Sequence, residues 1–344
     1  MSWFNLDFGD FSKTFLSVLF EGIPFLLLGS LISGLVDVHV SPERITRMMP
    51  KRPGVAIFVA GLMGLIFPIC ECGSVVVIRR FLKKGLPLSV ATSYMLAAPI
   101  VSPIVAYSTW IAFTKQQPEV MTISRLVLGY FVAVTVALVV HNLPQNRIAQ
   151  AGITGETKRR TGLSIAGSDA ASDSDTPVEF AAIAAKASPL RKLLLAIQSA
   201  TADFLDVAFY FVIGVAITSV FSAGVNREAL APLAQSPVTS IVALMIVAAL
   251  LALCSTTDAF VAATQFSQFS PAANLAFLLF GPVFDLKLFW LYGLVFRKKF
   301  VVVLAIGLFI LIAVICMLWG ALDAFPRPTE PVGSIGCNPQ ALVV

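Results

Sequence analysis

An all-α polytopic membrane protein of two inverted repeats, with six transmembrane spans and two re-entrant helical hairpins, is the fold this sequence predicts. Three observations carry the reading: apolar runs of spanning length, a duplicated pattern of acids, glycines and cysteines, and the placement of Lys and Arg. Hydrophobic residues make up 58% of the 344 positions and charged residues 12%, against about 25% charged in a typical soluble domain. Mean hydropathy is +0.89. Apolar stretches run over 15–36, 53–78, 86–113, 123–140, 193–221, 238–253, 272–296 and 301–322. Most reach the roughly 20 residues a helix needs to cross a bilayer. The first is expected to stay as a helix, because Asp7 and Asp10 precede it and no small-residue cleavage site follows.

The duplication divides the chain. Residues 1–141 form the first repeat and 191–322 the second; 142–190, rich in Ser, Ala, Gly, Thr and Asp, reads as a flexible cytoplasmic linker. Residues 323–344, with Pro326, Pro328 and Pro331, form a short tail with no assigned function. Glu21 precedes Gly29 by eight residues, as Asp206 precedes Gly214. Cys70 lies 29 residues before Pro99, and Cys254 lies 28 before Pro282. Internal repeats of this kind are a common way to build transporters.

The basic residues choose between topologies. Eight continuous spans, the alternative, leave 13 Lys and Arg on the cytoplasmic side against 10 outside. If 53–84 enters and leaves by the cytoplasmic face, and 238–269 does the same from outside, the split becomes 18 inside against five outside: Lys13, Lys115, Arg125, Arg227 and Arg327. Only the second obeys the positive-inside rule. Each half then has three spans, so the second is inverted, and the substrate site is expected near the midplane where the broken elements meet. The protein is expected to be a multi-pass protein of the cell membrane, with the lipid bilayer and a small solute or ion as partners. A nucleic-acid partner is excluded because the basic residues fall beside the spans, and the sequence leaves room for a homo-oligomer.

The first hairpin should turn at 67–73, where Pro68 removes a backbone donor and Gly73 relaxes the backbone. Broken backbone at membrane depth is tolerated only when buried or lining a cavity. Cys70 and Cys72, two apart, suit a turn offering two sulfurs to one soft ion, and Cys254 supplies a third if the two breaks converge. The plainer reading of each is a small buried hydrophobe, and it is the one adopted for Cys316 and Cys337. Charges inside apolar runs usually face protein or water. They are Glu21, Glu71, Asp206, Asp258, Asp285 and Lys287. Glu21 and Asp206 are proton-coupling candidates or structural caps. Ser255, Thr256 and Asp258 gather hydroxyls and a carboxylate at the second break, and Asp285 follows the Gly281-Pro282 interruption. An internal salt bridge is the plainer alternative, with Lys287 neutralising Asp258, Asp206 or another nearby acid.

Hydrolase triads, zinc-protease helices, phosphate loops and dinucleotide-binding glycines are missing from the sequence, so it reads as a non-enzyme without a cofactor. Pro68-Ile-Cys-Glu-Cys-Gly73, Arg79-Arg-Phe-Leu-Lys-Lys-Gly-Leu-Pro87, Ala97-Ala-Pro99, Cys254-Ser-Thr-Thr-Asp-Ala-Phe260 and Phe280-Gly-Pro-Val-Phe-Asp-Leu-Lys287 occur in that order through both halves. On them the chain resembles a family of predicted bacterial and archaeal permeases, whose characterised relatives include organoarsenical efflux permeases. The resemblance implies efflux of a thiol-seeking metal or metalloid. Two departures stand out. Ser102-Pro103 replaces the family's frequent Asn before Pro, and Thr256 and Thr257 stand where a Cys-Ser-Glu-Ala-Asp run is common, which removes one carboxylate from the second break. The expected function is therefore a secondary transporter exporting a soft metal or trivalent metalloid, with Cys70, Cys72 and Cys254 as its ligands and Asp258, Asp285 or Glu71 as proton-coupling groups. A permease for another small solute, needing no thiols, is the second reading, and an intramembrane thiol oxidoreductase cycling Cys70 and Cys72 is the third.

Overall fold

The computed structural model describes residues 8–39, 50, 52–67, 69–144, 148–150, 189–224 and 236–322. Pro68, most of the predicted linker and the tail lie outside the described residues. Twelve α-helices make up the fold among the described residues, in two runs of the same order: a long helix, four short ones, a long helix. The first run is α1 (Phe8–His39), α2 (Pro53–Leu62, continued by a 3-10 turn at Met63–Leu65), α3 (Glu71–Lys83), α4 (Leu88–Ala97), α5 (Pro103–Ala112) and α6 (Pro118–His141). The second is α7 (Pro189–Gly224), α8 (Pro237–Leu251), α9 (Thr257–Gln265), α10 (Pro271–Phe280), α11 (Leu286–Tyr292) and α12 (Lys298–Ala321).

Proline punctuates this order. Pro53, Pro103, Pro118, Pro237 and Pro271 each open a helix, where the missing N–H has no intrahelical acceptor to lose. Four helices, α1, α6, α7 and α12, contain segments long and apolar enough to cross a membrane. Their outward faces carry large apolar side chains such as Phe20, Leu28, Ile123, Leu205 and Ile310. The apolar stretches 86–113 and 272–296 are each interrupted, at 98–102 and 281–285, the second at the Gly281-Pro282 interruption marked in the sequence. Buried Pro99 and Pro282 sit in those interruptions, and a proline inside a helix removes a ladder donor and clashes with the preceding turn. Each interrupted pair still runs antiparallel to the long helix after it. Thr109 meets Arg125 and Ile100 meets Gly129 along α6, while Ala272 meets Gly320 and Phe280 meets Phe309 along α12.

The short helices before them fold back. Ser93 of α4 donates to the Ile57 carbonyl of α2, and Gly64 abuts Ala98, so α2 and α4 run in the same direction. Gly85, at φ +93°, turns α3 into α4, a conformation that costs glycine nothing. Hence α3 ends at the end of the molecule where α2 begins. That end also holds the C-terminus of α1, whose Val36 carbonyl accepts from Lys84 at 2.9 Å, and the N-terminus of α7, since Gly34 packs on Ala196 and Ala200. Residues 148–150 lie there too, bonded to the connection between α11 and α12 through Arg297 N to Ile148 O (2.9 Å) and Gln150 N to Val295 O (3.0 Å). In the second run α8 and α9 fold back from the other end, where α12 finishes against α6 through Trp319 and Ser124.

The long helices α1 and α7 run antiparallel as a tight pair. Gly22 faces Phe211 and Gly34 faces Ala196, so rising numbers on one meet falling numbers on the other. The two glycines with matched spacing in the sequence, Gly29 and Gly214, then seat this pair on the short helices. A Cβ on Gly29 would lie 2.9 Å from Gly73 Cα of α3, and one on Gly214 would lie 2.9 Å from Lys287 Cα of α11. Glycine is what lets these backbones approach so closely.

Candidate functional site

The two backbone breaks, the one that ends at Cys70 and the one at 252–256, meet inside the bundle. A cavity of about 20 Å³, the space of a single water-sized particle, is lined from them by Cys70, Glu71, Cys72, Ala252 and Cys254, from α11 by Lys287, and from the long pair by Glu21, Phe25 and Phe211 among others. All three predicted thiols therefore share one cavity, with Glu21, Glu71 and Lys287. Among the described residues no three His, Cys, Asp or Glu side chains are grouped so as to hold a metal ion.

Each wall has a local cause. Cys70 is the N-cap of α3, its Sγ accepting from Gly73 N at 3.4 Å, so the break ends where a side chain satisfies an orphan amide of the helix. Cys72, in the first turn of α3, is only 4% exposed. On the second break, Thr256 donates its hydroxyl to Cys254 Sγ at 3.7 Å. Ala252 ends α8 at φ 44°, in the left-handed region, which costs a residue with a Cβ about 1–2 kcal/mol. Ala252→Gly is accordingly expected to be neutral or stabilising by up to about 1 kcal/mol, and Ala252→Val to destabilise by about 2 kcal/mol. Thermal unfolding of the detergent-solubilised protein would order the three variants.

Buried charge is paired across the two runs. Lys287 Nζ lies 3.1 Å from Glu71 Oε1 and 3.3 Å from Asp285 Oδ2, and it donates to the Ala252 carbonyl at 3.0 Å. Asp285 also caps α11, accepting from Leu288 N at 2.7 Å. Asp258 is held by Arg125, with Nη2 at 3.0 and 2.8 Å from its two oxygens. The internal salt bridge weighed for Lys287 is thereby borne out with other nearby acids, Glu71 and Asp285, and not with Asp258 or Asp206. Lys287 is consumed by Glu71 and Asp285 because α11 packs beside the first turn of α3. Asp206, its side chain 60% exposed, pairs instead with Arg79 at the end of α3, away from the cavity. Arg125, counted with the outside residues by sequence, is fully buried on α6.

Other sequence candidates stand behind the cavity. Pro99 and Pro282 shape breaks, and the Ser255 carbonyl accepts from Arg125; Glu21, in the cavity wall itself, accepts from Thr257 at 3.0 Å. Gly73 serves through its amide and its missing Cβ. Asp203, which sequence reasoning passed over, is bound twice by Arg80, at 2.6 and 2.9 Å, and once by Ser33 at 2.8 Å. Its signal was a second acid three residues before Asp206, on the same face of one helix.

Long lipid-compatible helices around a buried, charged, backbone-broken centre define a multi-pass membrane protein of the permease class. The chain belongs to the predicted permease family, whose model matches residues 7–321. It is 33% identical over 298 residues to the UPF0718 protein YcgR of Bacillus subtilis (strain 168), covering 87% of this chain and 92% of that one. It is 28% identical over 309 residues to a protein of Streptococcus mutans serotype c named "Putative two-component membrane permease complex subunit", covering 90% of this chain and 94% of that one. No solved structure matches.

Proposed function

We propose that this permease is a secondary transporter that exports a thiol-seeking soft metal or trivalent metalloid across the cell membrane, with the cavity between the two breaks as its substrate site. The observation that carries the reading is the convergence of Cys70, Cys72 and Cys254, from chain segments more than a hundred residues apart, on one cavity lining. Sulfur donors favour soft centres, and paired charges at membrane depth mark substrate and ion pathways. The two hairpins, folding back from opposite ends, and the antiparallel pairing of α1 with α7 support an inverted repeat of six spans and two hairpins. The gathering of Arg79, Arg80 and Arg297 at one end supports a cytoplasmic placing of that end and of the linker. Of the coupling candidates, Glu21 from α1 and Glu71 from α3 face the cavity and fit the role, whereas Asp206, Asp258 and Asp285 are not in its lining.

Transport of another small solute without thiol ligation is the second reading. It is favoured by the capping bond of Cys70 and the burial of Cys72, which give both residues structural work. The test exploits that bond. Serine is a better N-cap than cysteine, so a Cys70→Ser, Cys72→Ser double variant keeps α3 while removing both sulfurs. A sensitised bacterial host carrying the wild-type gene is expected to survive raised arsenite, methylarsenite, Cu, Zn or Cd, and the double variant at equal membrane abundance to lose that protection. Undiminished protection in the variant overturns thiol ligation and leaves the second reading.

A further inference from the structure

The second break presents Cys254 to the cavity, and its backbone is gripped from outside on either side of that residue. Lys287 takes the Ala252 carbonyl. Arg125 Nη2 takes the Ser255 carbonyl at 2.9 Å. Between them the Cys254 carbonyl accepts from the amides of Thr257 and Asp258, both at 3.0 Å. Irregular backbone at membrane depth persists only where such groups are satisfied, and here two of the donors are buried cations brought in by other elements.

Arg125 does more than neutralise Asp258. Its Nη1 donates to Thr109 Oγ1 of α5 at 2.7 Å while Nη2 spans Ser255 and both oxygens of Asp258. One guanidinium thus ties α5, the break and the first turn of α9 to α6. A planar fork with five donors holds its acceptor groups at fixed angles, a geometry that the three rotatable donors of an ammonium do not impose. Arg125 does not line the cavity. It acts through Ser255, the neighbour of Cys254.

We propose that Arg125 is a positioning residue of the transport site, holding the second break so that Cys254 faces the cavity. The inference rests on the reading of that cavity as the substrate site, and its test uses no substrate, so the two can fail separately. Two full-length proteins in native membranes serve, one with Cys254 and one with Cys70 as its sole cysteine, each with and without Arg125→Lys, which keeps the charge facing Asp258. The probe is a membrane-permeant maleimide. Freed from its charge-assisted bond, the break should expose Cys254, raising its labelling rate about tenfold while that of Cys70 changes by less than about twofold. An unchanged Cys254 rate, or an equal rise at both thiols, overturns the proposal, the latter because it reports general loosening. If Arg125→Lys fails to accumulate, the neutral Arg125→Gln, Asp258→Asn pair replaces it, with the same two outcomes deciding.

Discussion

Lys287→Met is expected to deplete the folded protein from the membrane. The side chain is 3% exposed, and its ammonium is the cation within salt-bridge distance of both Glu71 and Asp285. Removing one partner of a buried ion pair typically costs about 3–5 kcal/mol, because an uncompensated charge is left behind. Here two carboxylates lose their partner, and the Ala252 carbonyl loses its donor. Glu71 Oε2 already has no hydrogen-bond partner in the structure, so there is little local capacity to absorb the change. A loss of that size is a large fraction of the roughly 5–15 kcal/mol that holds a typical protein folded. Membrane abundance and the thermal midpoint in detergent measure it. A Lys287→Met, Glu71→Gln double variant should recover part of the loss, since it leaves one buried carboxylate unpaired where the single variant leaves two. Wild-type abundance and midpoint in Lys287→Met would mean that the cluster is hydrated or already neutral.

The membrane class was legible in the sequence because hydropathy depends on composition alone. The runs at 15–36, 123–140, 193–221 and 301–322 became α1, α6, α7 and α12 with only their ends shifted. The breaks were legible too, because proline and glycine act locally. Pro99 and Pro282 interrupt what apolar length alone reads as single spans, so hydropathy drew 86–113 and 272–296 as continuous. What the sequence could not supply was the choice of ion partners. Lys287 and Glu71 are 216 residues apart and Arg125 and Asp258 are 133 apart, and each pair depends on which faces of two distant helices meet. Lys287, Glu71 and Asp258 stood out as charges within apolar runs. Arg125 was placed outside because it sits near the start of a span, yet it lies on the second turn of α6 with Val127 and Leu128 beyond it. An intramembrane arginine seeking an intramembrane acid was the available signal. The glycines Gly29 and Gly214 were read as markers of duplication. Their physical role, seating the long pair on α3 and α11, needed the packing.

That packing yields the second large effect. Gly29→Val should abolish transport by driving α3 off α1. A Cβ at position 29 would stand 2.9 Å from Gly73 Cα and 3.1 Å from Gly73 O. Both are backbone atoms, so no rotamer change can clear them; one of the helices has to shift. Overpacking of a well-packed contact costs about 1–3 kcal/mol, and the two further methyl groups of valine raise the demand. The displaced turn is the one that carries Cys70, Glu71 and Cys72, so a shift of even half an ångström reshapes the cavity wall before it unfolds anything. Gly307→Ala is the matched control. Position 307 lies in α12 with nothing within 4 Å of a new Cβ, and alanine there should gain roughly 0.5–1 kcal/mol of helix preference. With both variants at wild-type abundance, protection of the sensitised host should vanish for Gly29→Val and persist for Gly307→Ala. Full protection from Gly29→Val would mean that α1 is free to separate from α3 during the transport cycle, and that the first turn of α3 is held in place by Lys287 and α11 instead.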